Sequence, residues 1–465
     1  MKGIITKLCT RVTRLLLPAL LLFSTCGCED YVIVDPPTTQ LTSETVFSDV
    51  STATAALLDV YAKLRESSLL TGRTSGLSAL MGLYTDELTF YGSPSHFGAG
   101  YYNNNLLASD MQAASWWSNG YNVVYSANAI IEGLQRSGGI QQQDKELLTG
   151  EALFIRALVH FYLHNLYGDI PYITTTDYTA NSRVGRMTSS EIHALLMEDL
   201  NHAYALLPQD YIAAGRTRVN KGVAKALLAR VCLYAGDYAQ AADAASAVLN
   251  NTALYQDAGT AVAFLKDSPA TLWQFSPSAE GTNSYEGQSF IFTSGPPPFA
   301  ALSAGLLGAF EPGDQRRVLW IAEVQGDGGP WYHSYKYRER FTDTSLEYSI
   351  VLRLPELYLI RSEARLAQGE LIGAREDLNH IRNAAGLPDS EAIDAAGILA
   401  AIVQERRVEF FTEHGHRFFD LKRLGLLDTV LTVNKPGWQG NDALLPLPEN
   451  DLRLNPNLEP QNPGY

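Results

Sequence analysis

Residues 226–249, ALLARVCLYAGDYAQAADAASAVL, can be laid on residues 358–381, YLIRSEARLAQGELIGAREDLNHI. Gly236 then falls on Gly369, Asp237 on Glu370, Leu233 on Leu366, Ala241 on Ala374 and Val248 on Ile381, all at a separation of 133 residues. Each copy reads as a helix, a tight turn at glycine and a second helix, with small residues where the helices cross. That is the logic of tetratricopeptide-type repeats, whose helix pairs bury their faces by stacking on neighbours. A third first helix is DKELLTGEALFIRALVHFYLHNL (144–166), which ends at YGDIP. Its partner is delayed by a loop over 169–188. It opens with a capping box, Thr188 followed by Glu191, and Pro208 stops it.

The rest of the chain divides around this pattern. Val46, Leu57, Leu58, Val60 and Leu64 make the chain helical from Ser43, with Ser43 as its cap. Residues 84–105, YTDELTFYGSPSHFGAGYYNNN, break the helical period and read as a loop with too many rings. Helix returns after residue 110, where Trp117, Tyr121, Tyr125 and Asn128 share one face. That stripe is expected to be core. Residues 251–353 interrupt the stack with Gly, Pro, Ser and aromatic residues, and read as irregular loops with short strands. A long insertion inside a repeat array points to function. The expected organisation is a helical core at about 43–70, 110–250 and 354–425, with an aromatic loop at 84–105, an insert at 251–353 and a tail at 426–465.

The stretch TEHGHRFFDLKRLG (412–425) concentrates Glu413, His414, His416, Arg417 and Asp420. It poses the question of catalysis or metal binding. On the helix that precedes it, Leu399, Ile402, Val403 and Phe410 share a face with Arg406. A charge there must be paired, and Glu409 and Glu413 are the expected partners. Arg417 and Asp420, three apart, are expected to pair likewise. A His-x-His pair converges on a metal when both residues lie on a strand, but Gly415 between His414 and His416 reads as a turn. A glycosidase needs two carboxylates flanking a cleft, whereas the carboxylates here are balanced by arginine. Fold-holding salt bridges are therefore expected, with no metal and no catalytic residue.

Charge and cysteine usage narrow the classes further. The net charge is −15, from 35 basic and 50 acidic residues. That argues against nucleic acid and against docking on anionic lipid. Lys2, Lys7, Arg11 and Arg14 precede the nine-residue apolar run LLLPALLLF, which is too short for a spanning helix. Small residues and Cys26 and Cys28 follow. The pattern suits a lipoprotein signal peptide over 1–27 with Cys28 lipidated, Cys26 being the alternative. The remaining body, 28–465, is expected to form one domain. Its other cysteine, Cys232, lies in an apolar helical pattern and reads as core, leaving no disulfide.

Five segments together resemble the SusD/RagB family of outer-membrane nutrient-binding lipoproteins: EALFIRALVHFYLHNLYGDIPYI (151–173), RLPELYLIRSEARLAQG (353–369), LNHIRNAAGL (378–387), ERRVEFFTEHGHRFFDLKRLG (405–425) and LPLPENDLRLNPNLEPQNPGY (445–465). His414 is a departure, since similar chains often carry Trp before Gly-His-Arg. The resemblance implies an all-α fold with about four tetratricopeptide-type helix pairs. It also implies a lipid anchor at the cell surface of the outer membrane, and a SusC-like TonB-dependent transporter as partner. The ligand it implies is an oligosaccharide or, in some members, a peptide. No cofactor and no catalysis are implied.

The family's motifs do not fix ligand residues, so these are argued from chemistry. Sugars present flat C–H faces and a rim of hydroxyls, which call for exposed rings beside polar side chains. The loop offers Tyr91, Phe97, Tyr101, Tyr102 and Asn103; the insert offers Trp273, Tyr285, Trp331 and Tyr332. On this reading Tyr101→Ala or Trp331→Ala weakens ligand binding without unfolding the chain. The competing classes are a glycoside hydrolase, which would release reducing sugar, and a helical scaffold that binds only protein.

Overall fold

The computed structural model describes Ser43–Tyr465. The expected leader, Cys28 and the stretch to residue 42 lie outside the described residues. Of a first unit, Met1–Val46, only the helical turn Ser43–Val46 is described. Everything below concerns the second unit, Phe47–Tyr465. The helix expected to run on from Ser43 instead begins anew at α1 (Val50–Glu66). The Asp49 carboxylate accepts from the backbone N–H groups of Ser51 and Thr52 at 2.8 and 3.1 Å and caps it.

The helices continue as α2 (Leu77–Tyr84), α3 (Gly98–Asn103), α4 (Met111–Arg136), α5 (Gln142–Tyr167) and α6 (Ser189–Leu206). Then come α7 (Lys221–Ala235), α8 (Tyr238–Leu249), α9 (Leu354–Ala367), α10 (Leu371–Ala384), α11 (Ala395–Glu409) and α12 (His416–Arg423). From α4 to α11 each helix packs on the next, which is the expected stack; α1 packs on α4, so that α1/α4, α5/α6, α7/α8 and α9/α10 make its four pairs. The repeat survives in its hydrogen bonds. Gly236 and Gly369 both take left-handed backbone, with φ of 77° and 83°. Asp237 N–H donates to Cys232 O, and the equivalent Glu370 N–H to Arg365 O, each at 2.9 Å. Ala241 and Ala374 are fully buried where the paired helices cross. The capping box at Thr188 and Glu191 is present and opens α6. Buried Arg–carboxylate pairs tie helices together, Arg156 to Asp199 across α5 and α6 and Arg230 to Glu356 across α7 and α9.

Short strands come almost entirely from the insert: β1 (Leu88–Phe90), β2 (Thr271–Phe275), β3 (Ala300–Leu302), β4 (Ile321–Gly326), β5 (Gly329–Ser334) and β6 (Ser349–Arg353). They form three two-stranded antiparallel sheets, β1 with β3, β2 with β6 and β4 with β5. The aromatic loop is therefore more ordered than its composition suggested: it contains β1 and α3, because residues 300–302 supply β1 with a distant partner.

Candidate functional site

In the charged stretch Glu413, His414, His416, Arg417 and Asp420 are all buried, beneath the molecule's exposed rings. Arg406 is paired, but not by Glu409 and Glu413 as expected. Its Nε donates to Asp420 Oδ2 at 2.7 Å. Glu409 and Glu413 are instead taken by Arg353, with further bonds from Arg316 to Glu409 and from Lys336 to Glu413. Arg417 reaches Asp86 at 2.9 and 3.0 Å rather than Asp420. Local spacing along the helix misassigned these partners because distant elements approach more closely than the next turn. Glu409 is held down at about 2 by Arg353 and Arg316 despite the opposing cost of burial, and burial pulls Lys336 down to about 8. His414 is close to the Ile350 carbonyl at 2.9 Å through Nε2, and His416 stacks on Phe410 with ring centres 4.7 Å apart. Gly415 makes the expected turn, with φ of 76°.

These charges fix the roots of the strands above them. Asp86, clamped by Arg417 and Arg407, lies two residues before β1. Lys336, whose Nζ donates to the carbonyls of Glu409 and Phe411 at 2.7 and 2.8 Å, lies two residues after β5. Just past β1 the N–H groups of Tyr91 and Gly92 donate to Phe299 O at 2.8 and 3.1 Å. Gly295 bridges to Gly326 at the end of β4. A Cβ on Gly295 would stand 2.0 Å from the Trp331 indole, so only glycine lets this segment lie flat against the hairpin.

The result is a cluster of rings drawn from three segments far apart in sequence. Tyr91 meets Trp331 edge to face, with centres 4.7 Å apart. Phe90 packs edge to face on Phe299 at 5.7 Å and lies 6.3 Å from Tyr102. His96 touches both Phe97, at 4.1 Å, and Phe299, at 5.3 Å. Tyr91 is 40% exposed and Phe97 38%, and the other rings are half-buried. Asn103 is exposed at the end of α3. Desolvation raises the Tyr91 hydroxyl above its ordinary value and lowers His96, so the rings present an uncharged surface at neutral pH. Lys435, pushed down to about 7 by burial, lies 4.0 Å under the Tyr102 ring.

Four of the expected site residues are placed elsewhere. Trp273 is buried completely in β2, ringed by Phe275, Phe154 and Tyr61 at 5.1, 5.3 and 6.1 Å, and its indole donates to Thr217 O. Tyr101 is also fully buried, between Tyr84 and Trp116, and its hydroxyl donates to Asp110. Neither ring can meet a ligand, and Tyr101→Ala would open a core cavity. Tyr285 is committed to Glu66 through its hydroxyl and is covered by Arg73 at 3.8 Å. Tyr332 follows Trp331 on β5, so it points to the opposite face. There it bonds its cross-strand partner Glu323 at 3.0 Å under Arg317. Conversely, His96 and Phe299 were missed. Phe299 carries a weak signal, a bulky ring directly after three prolines in a loop-rich insert; His96 carries none.

Two family models match the chain, one described as starch-binding associating with outer membrane over residues 76–233, the other as the SusD family over residues 330–465. A SusD-like protein P2 from Formosa agariphila is 26% identical and aligns over 96% of this chain and 98% of its own length. Among solved structures, a laminarin-binding SusD-like protein superposes with a TM-score of 0.76 at 25% identity, covering 89% of this chain and 99% of that one. A SusD-like carbohydrate-binding protein from Bacteroides fragilis gives a TM-score of 0.78 at 18% identity, over 89% of this chain and 100% of that one, and speaks to the fold alone. Read with the helical stack and its four pairs, these matches at both ends of the described chain place it in one lineage: it belongs to the SusD/RagB family.

Proposed function

We propose that this chain is a noncatalytic glycan-binding lipoprotein of the outer-membrane surface. It captures oligosaccharide on the ring cluster of Tyr91, Phe97, Tyr102 and Trp331, with Phe90, His96, Phe299 and Asn103 around them, and passes it to a SusC-like TonB-dependent transporter. Lipidated Cys28 tethers it. The observation that carries the reading is the convergence of three segments on one exposed, uncharged aromatic surface. Rings of this kind offer flat faces to sugar C–H groups, and hydroxyl and amide groups at their edges suit a polyol. The acid–base candidates of the sequence do not compete with this reading, because Glu405, Glu409, Glu413 and Asp420 are buried and tied to arginine. The laminarin-binding relative supports a glycan as ligand.

Two or three stacked rings at about 1 kcal/mol each, with hydrogen bonds and less the ordering cost, give an affinity of roughly micromolar to millimolar. Such weak binding suits a protein that hands its ligand on. The test is electrophoretic retardation and calorimetry of the mature protein against a glycan panel that includes laminarin and starch. Retention by one polysaccharide is expected, with no reducing sugar released. Trp331→Ala should weaken it about tenfold, equivalent to about 1.4 kcal/mol, while leaving the melting temperature unchanged. Unaltered affinity in Trp331→Ala and Tyr91→Ala alike would move the site off the cluster, and product release would replace the binder with a hydrolase.

A further inference from the structure

The aromatic stripe of α4 is not all core. Trp117 and Asn128 at its two ends are buried, whereas Tyr121 is half-buried and Tyr125 52% exposed, so the middle of the stripe reaches the surface. That middle part forms a wall of a cavity of about 320 Å³ between α4, the segment after α5 and the C-terminal helix Glu449–Leu454. Pro171, Ile173, Val184, Leu454 and Leu458 supply apolar wall, and Asn181, Ser182 and Asn455 are its neutral polar members. That volume is at the lower end for a small-molecule site and is large enough for one side chain.

A single carboxylate, Asp451, faces this space. It is half-buried, and no lysine, arginine or histidine among the described residues forms an ion pair with it. The Trp117 indole hydrogen-bonds the carboxylate, yet desolvation outweighs that and raises its pKa. The Tyr121 hydroxyl, which the nearby Asp451 charge also affects, is spent on Pro171 O at 2.8 Å and offers its ring to the cavity. An unpaired carboxylate in an apolar setting is costly unless a cation answers it. Aromatic faces beside it add attraction for a cation. The aliphatic walls suit a run of methylenes, and the neutral polar members are engaged, Asn181, Ser182 and Asn455 donating to the backbone carbonyls of Thr175, Thr179 and Val184.

We propose that this cavity binds an alkylammonium group, seating the cation between Asp451 and the Tyr121 and Tyr125 rings and the apolar stem against Pro171, Ile173 and Leu454. The site is separate from the ring cluster described above and does not depend on its function. Lysine side chains of a peptide and free aliphatic diamines carry the same chemistry.

The test is calorimetric titration of the mature protein with n-pentylamine, with n-pentanol as the neutral isostere and Nα-acetyl-lysine amide and cadaverine as the two natural sources. n-Pentylamine should bind at least about tenfold more tightly than n-pentanol, and Asp451→Asn should remove that difference. Tyr125→Ala, at a half-exposed position that the fold does not depend on, should weaken n-pentylamine about three- to tenfold and covers the case in which Asp451→Asn fails to fold. Tighter binding of the lysine amide would make the ligand a peptide, and tighter binding of cadaverine a diamine; both support the site. Equal affinity for amine and alcohol, an unchanged Asp451→Asn, or no binding up to about 10 mM amine would overturn it.

Discussion

Two regions of this molecule carry the residue types from which active sites are built, and they use them in opposite ways. Residues 405–420 gather Glu, Arg, His and Asp, and the groups named above are partnered and, apart from half-buried Arg407, buried. The ring cluster of 90–102, 299 and 331 has few strong partners and keeps its faces in reach of solvent. A dense charged motif here is architecture, because charges taken out of water must be answered by others. The aromatic loop is the part with surface left to offer. The two are joined mechanically: Arg417 and Arg407 hold Asp86 below β1, and Glu413 holds Lys336 below β5, so the charges set where the rings stand.

The largest effect should come from breaking the lower region. Arg353→Ala takes from Glu409 and Glu413 the cation they share and leaves Arg316 and Lys336 to answer one carboxylate each, and removing one partner of such a network costs about 3–5 kcal/mol. Thermal unfolding should show the loss, with ligand binding reduced only in proportion to the unfolded fraction at the assay temperature. A variant that melts like wild type yet no longer binds would erase the division between the two regions.

A pH-dependent test is sharper. Glu87, between Asp86 and β1, is raised to about 7 chiefly by burial, and its carboxylate accepts a long, 3.3 Å bond from Thr412 N–H. Its folded pKa lies above the unfolded value, so between pH 4.5 and 7 the folded chain holds a proton the unfolded chain has lost. Stability therefore falls as pH rises through that window and stays reduced above it. Glu87→Gln removes the ionisation while keeping an acceptor. It should stabilise the protein by about 3 kcal/mol at pH 8 and leave it nearly unchanged at pH 4, read from melting curves at the two values. An equal shift at both would mean that shape rather than charge is responsible.

The comparison also explains what could be read from the chain. The helical stack was legible because its turns depend on local chemistry: the left-handed glycines at 236 and 369 and the capping box at 188 act within a few residues. The partners of Arg406 and Arg417 were not, because each depends on how elements pack: Arg406 reaches Asp420 on the next helix, 14 residues on, and Arg417 reaches Asp86, 331 residues away. Nor could sequence separate Tyr101 from Tyr102. They are neighbours on α3, and the helix turns one into the core and the other over Lys435. Trp273 deceived for a related reason. β2 is buried along its whole length, so it lacks the alternation that would have marked the ring as interior.

The same uncertainty recurs at Trp331 and Tyr332, and here the structure predicts a null effect. The two are adjacent on β5, and strand geometry sends them to opposite faces. Trp331 joins Tyr91, and Tyr332 lies under Arg317, which with Phe310 and Leu319 helps to line a cavity of about 530 Å³. A glycan seated on the ring cluster should not touch Tyr332. Tyr332→Ala should therefore change affinity by less than about twofold, under 0.5 kcal/mol or so, where Trp331→Ala changes it about tenfold. Calorimetry of both variants with one glycan decides the matter. If Tyr332→Ala is as damaging as Trp331→Ala, the ligand must wrap around the hairpin edge, and the cavity beside Arg317 becomes the second half of a longer site.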